Sequence, residues 1–135
     1  MRLKKSLAKL VEWERVCRVA TASPAGVPHV VPVCHVLNDG KLYFASETGA
    51  RKVRNVRQNP HVTVTVDLYS DDWANVKGVM IQGSATIVAK ARFRKIRRLL
   101  YEKYPQYPDM SAIGERDSVI VEVTPRHAFA WGMDG

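Results

Sequence analysis

Four bases, Arg51, Lys52, Arg54 and Arg57, come directly after the turn Glu47-Thr48-Gly49. The stretch around them, residues 41–60, reads KLYFASETGARKVRNVRQNP. KLYFAS has the composition of a strand. The segment after the turn has Val53 and Val56 as an apolar edge, Thr48 as its expected N-cap and Asn59-Pro60 as its stop, which predicts a short helix. A helix that opens with bases just after a strand suits a phosphate. The free N–H groups of the first turn, the positive end of the helix dipole and the cationic side chains all act on one point. A solvated basic helix face has the same composition, so this stretch alone does not decide between the two.

Other chemistry is hard to find. Ser84 sits in QGSAT, which lacks the second glycine of a nucleophile elbow, and no Ser/His/Asp set accompanies it. The acidic residues are dispersed, and the one adjacent pair, Asp71-Asp72, stands in a polar loop. His29, His35, His61 and His127 all fall in strand contexts and read as packed or partly exposed strand histidines. Cys17 and Cys34 do not make a zinc site, and the scattered histidines do not complete one, so no metal is expected. If the first hairpin turns at Ala25-Gly26, the two cysteines oppose each other on adjacent strands. Two buried thiols are then expected, with a redox pair as the alternative. A chain without an acid–base or nucleophilic set but with a phosphate cradle points to a cofactor that carries the chemistry.

The bulk properties agree with a small-molecule protein. At 135 residues the chain reads as one domain, 1–135, long enough for a core without disulfides. Apolar residues make up 46% and charged residues 25%, the balance of a soluble globular protein. No run approaches a membrane span, and MRLKKSLAKLVEWERV interleaves charges with apolar residues as no secretory signal does, so a cytoplasmic location is expected. The formal net charge of +8 suits nucleic acid, acidic lipid or a phosphorylated small molecule.

The elements that would position the bases can be read in chain order. Residues 2–13 place Leu3, Leu7, Leu10 and Val11 at helical spacing, and this helix should cover an open end of the β-structure after it. RVCRVATAS and HVVPVCHVL read as strands joined by the turn SPAGVP. Pro28 and Pro32 give the second strand a free edge or a bulge, which leaves backbone near Val31, Pro32 and Val33 available to a ligand. Asn38-Asp39-Gly40 turns the chain into KLYFAS. HVTVTVDLY alternates as a half-buried strand. Residues 76–89 are too long for one straight strand, and Gly78 and Gly83 mark bends or close approaches. A helix over about 91–104 turns Phe93, Ile96, Leu99 and Leu100 inward and Arg92, Arg94, Lys95, Arg97, Arg98 and Lys103 outward. Residues 105–114 read as a loop, and SVIVEVTPRHAFAW is a last strand, interrupted or edged at Pro125. The fold expected is mainly β (α+β): a six-stranded antiparallel barrel with helices at its gaps.

The ordered set RVATASPAGVPHVVPV, DGKLYFAS, ARKVRNVRQNPHVTVTVD, IQGSATIV and VEVTPRHAFAW resembles the pyridoxamine 5′-phosphate oxidase-like superfamily of FMN-binding split β-barrels. The likeness runs from about Arg15 to Trp131. DLYSDDW with LYEKYPQY resembles a small, deazaflavin-dependent subgroup. The resemblance implies an FMN-dependent oxidoreductase, with hydride passing through the flavin N5 to or from a small molecule, and a homodimer with cofactor sites at its interface. Carried onto this chain, Lys52 matches the phosphate-binding base, with Arg51 and Thr48 beside it. Ser46 matches a position that bonds the flavin or its ribityl chain. Val31, Pro32 and Val33 match the strand facing the isoalloxazine ring, and Lys77, Gly78 and Gln82 fall in the fifth-strand block. Trp73 and Trp131 are candidates for aromatic cover from the partner.

The C-terminal extension of the true vitamin B6 oxidases, with its arginine motif, is not present in these residues. One alternative exchanges FMN for the deazaflavin coenzyme F-420, its acidic tail on the arginines from Arg92 to Arg98. The other is a non-catalytic flavin, haem or nucleic-acid binding protein. No stacked aromatics or reader motif accompany that basic helix, so nucleic acid is set aside.

Overall fold

A computed structural model describes residues 1–133. Its strands are β1 (Val16–Ala22), β2 (Pro28–Cys34), β3 (Val36–Asn38), β4 (Lys41–Glu47), β5 (His61–Leu68), β6 (Lys77–Ile87) and β7 (Ser118–Trp131). Its helices are α1 (Lys5–Trp13), α2 (Arg51–Gln58), α3 (Lys90–Lys103) and the single turn α4 (Tyr107–Met110), which occupies part of the expected loop. All seven strands join one antiparallel sheet in the order β2-β1-β5-β6-β7-β4-β3.

The expected six strands are thus seven, and the reason lies at one residue. HVVPVCHVL is not one strand but two, broken at His35. β2 and β3 are consecutive in the chain, yet they form the opposite edges of the sheet. The sheet must therefore curl until its edges meet in a continuous piece of chain, which is how a split barrel closes. β2 pairs with β1 alone, so Pro32 costs the ladder nothing.

At the crossover the His35 peptide belongs to neither ladder, and its polar groups need other partners. Tyr104 supplies them from the end of α3. Its hydroxyl accepts the His35 N–H at 2.8 Å and lies 2.6 Å from the His35 carbonyl and 2.8 Å from that of Arg15. The single phenolic proton serves one carbonyl at a time. The His35 side chain is fully buried and its Nε2 is 2.7 Å from the Val11 carbonyl in α1. That contact fixes the Nε2–H tautomer and leaves Nδ1 buried without a partner. Burial first, then the Lys103 charge, lowers the His35 pKa from 6.5 to about 4.

The first hairpin departs from expectation by one residue. Ser23 N–H bonds the Val27 carbonyl at 3.0 Å, and Gly26 takes a left-handed φ of +85°. A three-residue turn of this kind centres on Ala25 and pairs Cys17 with Val33 and Val16 with Cys34. The shift sends the cysteines to opposite faces. Cys17 is buried in the barrel, and burial pushes its thiol up to about 12. Cys34 is only half-buried and packs against the α3 side, so the expected opposed pair of buried thiols does not form.

Inside the barrel Val19, Leu42, Phe44, Val62, Val64, Val66, Val79, Ile81, Val121 and Val123 interdigitate, and Leu7, Leu10 and Val11 of α1 join them. A second core lies outside the β4–β7 part of the sheet, where Phe93, Ile96, Leu100 and Tyr104 cover Tyr43 and Ile120. Between these layers Glu122 accepts from Tyr43 at 2.8 Å and from Arg92 at 2.9 Å. Burial pushes this carboxyl up, but the bonds from Arg92 and Tyr43 outweigh it and hold it below the usual range.

Tyr104→Phe strands the His35 N–H in the protein interior, and we expect it to lower stability by about 2 kcal/mol in urea unfolding. A loss below about 0.5 kcal/mol would show that the Tyr104 hydroxyl does not hold the β2–β3 junction. His35 predicts an acid limb. Above pH 6.5 both native and unfolded states hold it neutral. As pH falls toward 4, only the unfolded chain takes up the proton, so about 3 kcal/mol of stability is lost. His35→Asn should flatten unfolding midpoints between those values; an unchanged slope would show that other groups set it.

Candidate anion and cofactor site

α2 crosses one end of the barrel and is tied there by buried polar contacts. Val53 and Val56 are buried, and so is Asn55, whose Nδ2 donates to Thr21 Oγ1 of β1 at 3.0 Å. Asn59 Nδ2 reaches the Ser23 carbonyl at 3.4 Å. With its inner face held, the helix presents its first turn outward.

That first turn has no side-chain cap. The N-cap is Ala50, in extended conformation, and not Thr48 as the sequence suggested. The Glu47–Ala50 turn, closed by Ala50 N–H to Glu47 O at 3.2 Å, inserts two residues between Thr48 and the helix start. Thr48 instead gives its N–H to the Asp117 carbonyl at 3.0 Å. The Ala50 carbonyl takes the N–H groups of Val53 and Arg54 at 3.1 and 3.0 Å. The amides of Arg51 and Lys52 have no partner among the described residues, and no acidic residue stands in the first turn.

Three arginines of α3 are engaged, although Lys90, Lys95 and Arg98 of that helix have no carboxylate partner among the described residues. On α3, Arg92 pairs with Glu122 at 2.9 Å, Arg94 with Glu115 at 2.7 Å, and Arg97 donates to the Ile113 carbonyl at 3.1 Å. Those arginines fasten the helix to its neighbours. On α2, none of Arg51, Lys52, Arg54 and Arg57 has a carboxylate partner among the described residues. Unpaired cations, free amides and the positive helix end coincide, a donor set that fits a phosphate dianion.

The structure brings some of the sequence-derived residues together and separates others. Ser46, Thr48, Arg51 and Lys52 share the β4–α2 junction. Ser46 is buried at the end of β4, its hydroxyl donating to the Glu47 carbonyl at 3.2 Å. Val31 and Val33 turn into the barrel, and Pro32 faces outward beside Arg18. Gln82 faces outward between Thr63 and His127. Lys77 begins β6 at its other end, where the Trp131 ring lies on Gly78 so closely that a Cβ there would collide with it. Five residues of extended strand, about 16 Å, separate Lys77 from Gln82. Within one chain Lys77 and Trp131 therefore do not converge with Gln82. Trp73 is exposed in a short 3-10 turn, bonded to Tyr69.

Helix α3 covers the outside of the sheet only on its β4 side. Elsewhere the rows Val30–Ala20–Thr63–Gln82–His127 and Pro32–Arg18–Thr65–Met80–Phe129 run across the outer face. Val30 is 63% exposed, Phe129 56% and Trp131 43%. Exposed Val30, Phe129 and Trp131 thus share a face with Thr63, Gln82, His127, Arg18 and Thr65, a mixed surface of the kind that a partner can cover. The same face bears a cleft lined by Pro28, His61, Gln82, Arg126 and His127, among others. Arg126 is not among the residues singled out by sequence. A signal for it exists, because Gly83 and Pro125 mark the two sides of a bulge.

No helix of the described residues is long and apolar enough to cross a membrane. Among them no three His, Cys, Asp or Glu side chains gather as a metal site.

A curled antiparallel sheet with flanking helices defines a split-barrel fold. The pyridoxamine 5′-phosphate oxidase family matches residues 3–132, and the chain belongs to it. Solved structures share the same fold over nearly the whole chain. A conserved hypothetical protein from Mycobacterium tuberculosis is 21% identical, over 97% of this chain and 89% of that one, with a TM-score of 0.79. A FAD-binding protein from Mesorhizobium loti is 23% identical over 95% and 94%, with a TM-score of 0.78. The heme storage protein HutZ from Vibrio cholerae is 18% identical over 96% and 94%, with a TM-score of 0.77. At such identities the likeness speaks for the fold alone. No curated protein matches the sequence.

Proposed function

We propose that the protein is an FMN-dependent oxidoreductase that works as a homodimer on a small molecule. The observation that carries this reading is the start of α2: two free amides, with the Arg51 and Lys52 side chains beside them and without carboxylate partners among the described residues, on a helix anchored from below. Arg51 and Lys52, with their own N–H groups, would hold the cofactor phosphate. Thr48 would join them at the phosphate, and Ser46 would bond the flavin or its ribityl chain. β2 carries a neighbour on one side only, so the backbone of Val31, Pro32 and Val33 has an edge to offer the ring system. Bound FMN would supply hydride transfer at its N5, and the protein would contribute position and charge.

The dimer reading rests on the uncovered sheet face. A second copy laid on Val30, Pro32, Met80 and Phe129 would remove that surface from water. It would also offer a way to bring Lys77, Gln82 and Trp131 of one chain toward α2 of the other. The acidic tail of the deazaflavin coenzyme F-420 would need free cations on α3. Arg92, Arg94 and Arg97 are already engaged there, so of that set Arg98, with Lys95 beside it in sequence, is left exposed and without a carboxylate partner among the described residues.

Purified protein titrated with FMN should quench flavin fluorescence and perturb its visible spectrum. Lys52→Ala should weaken that binding about tenfold or more, the loss of one charge-assisted contact. FMN affinity unchanged in the variant would reject the α2 cradle.

A further inference from the structure

The outer sheet face holds a second cationic feature that the α2 cradle does not use. Gln82 pairs with His127 and Gly83 with Pro125, so Arg126 is an extra residue in β7. Successive strand residues normally point to opposite faces, but across this bulge both Arg126 and His127 are exposed, between buried Pro125 and half-buried Ala128. The bulge is locked from β6, because a Cβ on Gly83 would run into the Thr124 carbonyl. Two adjacent polar side chains are thereby aimed at one side of the sheet.

They line a cleft of about 510 Å³ together with Ala20, Ala22, Pro28, His61 and Gln82. No carboxylate lines it. Among the described residues Arg126 makes one side-chain hydrogen bond, 3.3 Å to Ser84 Oγ, and has no carboxylate partner. A guanidinium, two imidazoles and an amide beside small apolar side chains are the parts of a site for a small organic anion. We propose that this cleft binds the oxyanion of a carboxylated or phosphorylated small molecule, with Arg126 as its principal charge partner. The anion would meet Arg126 and His127, the amide of Gln82 would orient it, and the body of the molecule would rest on Pro28 and the alanines. The inference goes beyond the cofactor reading: no α2 side chain contributes to the cleft, Gln82 is the one residue that the two readings share, and Arg126 and His127 belong to this one alone.

The test is an amide NMR titration with inorganic phosphate and, separately, acetate, at constant ionic strength. It is run in the Lys52→Ala protein, so that binding at α2 is weakened. Saturable shifts at Gln82, Gly83, Arg126 and His127 are expected, and Arg126→Gln should raise the dissociation constant about tenfold. His127→Gln, which keeps the arginine, should raise it by less. Tighter acetate binding would identify an organic acid as the ligand class, and tighter phosphate binding a phosphate ester. Shifts that grow linearly and equally with chloride, or binding unaltered by Arg126→Gln, would overturn the proposal. Loss of FMN binding in Lys52→Ala with the cleft shifts intact would confine any failure to the other site.

Discussion

Tyr104 holds the one place where the barrel could fall open. Because β2 and β3 are consecutive in the chain but lie at opposite sheet edges, the sheet can close only through the peptide at His35. That peptide leaves one ladder before joining the other, and an unbonded peptide in the interior costs more than a surface turn would. A phenol is suited to the position, since one oxygen accepts an N–H and also offers a proton to a carbonyl. It arrives from the far end of α3, so the outer helix is part of the closure as well as a lid on the second core. His35 extends the same junction inward to α1 through Val11.

The curl has a functional consequence. It leaves α2 spanning a barrel end, with Asn55 and two valines below it and nothing above its first turn. The contrast with α3 gives that turn its meaning. Both helices are rich in arginine, but Arg92, Arg94 and Arg97 of α3 are engaged by Glu122, Glu115 and a backbone carbonyl, whereas none of the α2 bases has such a partner among the described residues. Free cations packed so close repel each other and invite an anion. The bulge in β7 obeys the same logic on another face: a local irregularity, fixed by a glycine, turns a charged side chain toward an open cleft.

Much of this is legible in the residues. Alternation in HVTVTVDLY, the Asn38-Asp39-Gly40 turn and the apolar stripe of α3 set local periods that the tertiary structure keeps. Gly83 announces a bulge, and the block order announces the split barrel. Three things are not legible. The break at His35 depends on a tyrosine 69 positions away, and no local pattern records such a bond. The hairpin register turns on whether its loop has two or three residues, a difference of one hydrogen bond that decides which faces Cys17 and Cys34 occupy. The N-cap of α2 moves from Thr48 to Ala50 because a backbone turn displaces the side-chain cap. Composition alone does not tell the engaged bases of α3 from the free bases of α2.

If the start of α2 holds a phosphate, FMN and riboflavin must bind very differently. The two ligands share the ring and the ribityl chain and differ only in that group. The account predicts FMN binding about 100-fold tighter than riboflavin, as two charge-assisted contacts would give, with Arg51→Ala/Lys52→Ala together erasing the difference. Equal affinity for both ligands in the unaltered protein would contradict it, because the free cations of α2 would then have no part in binding.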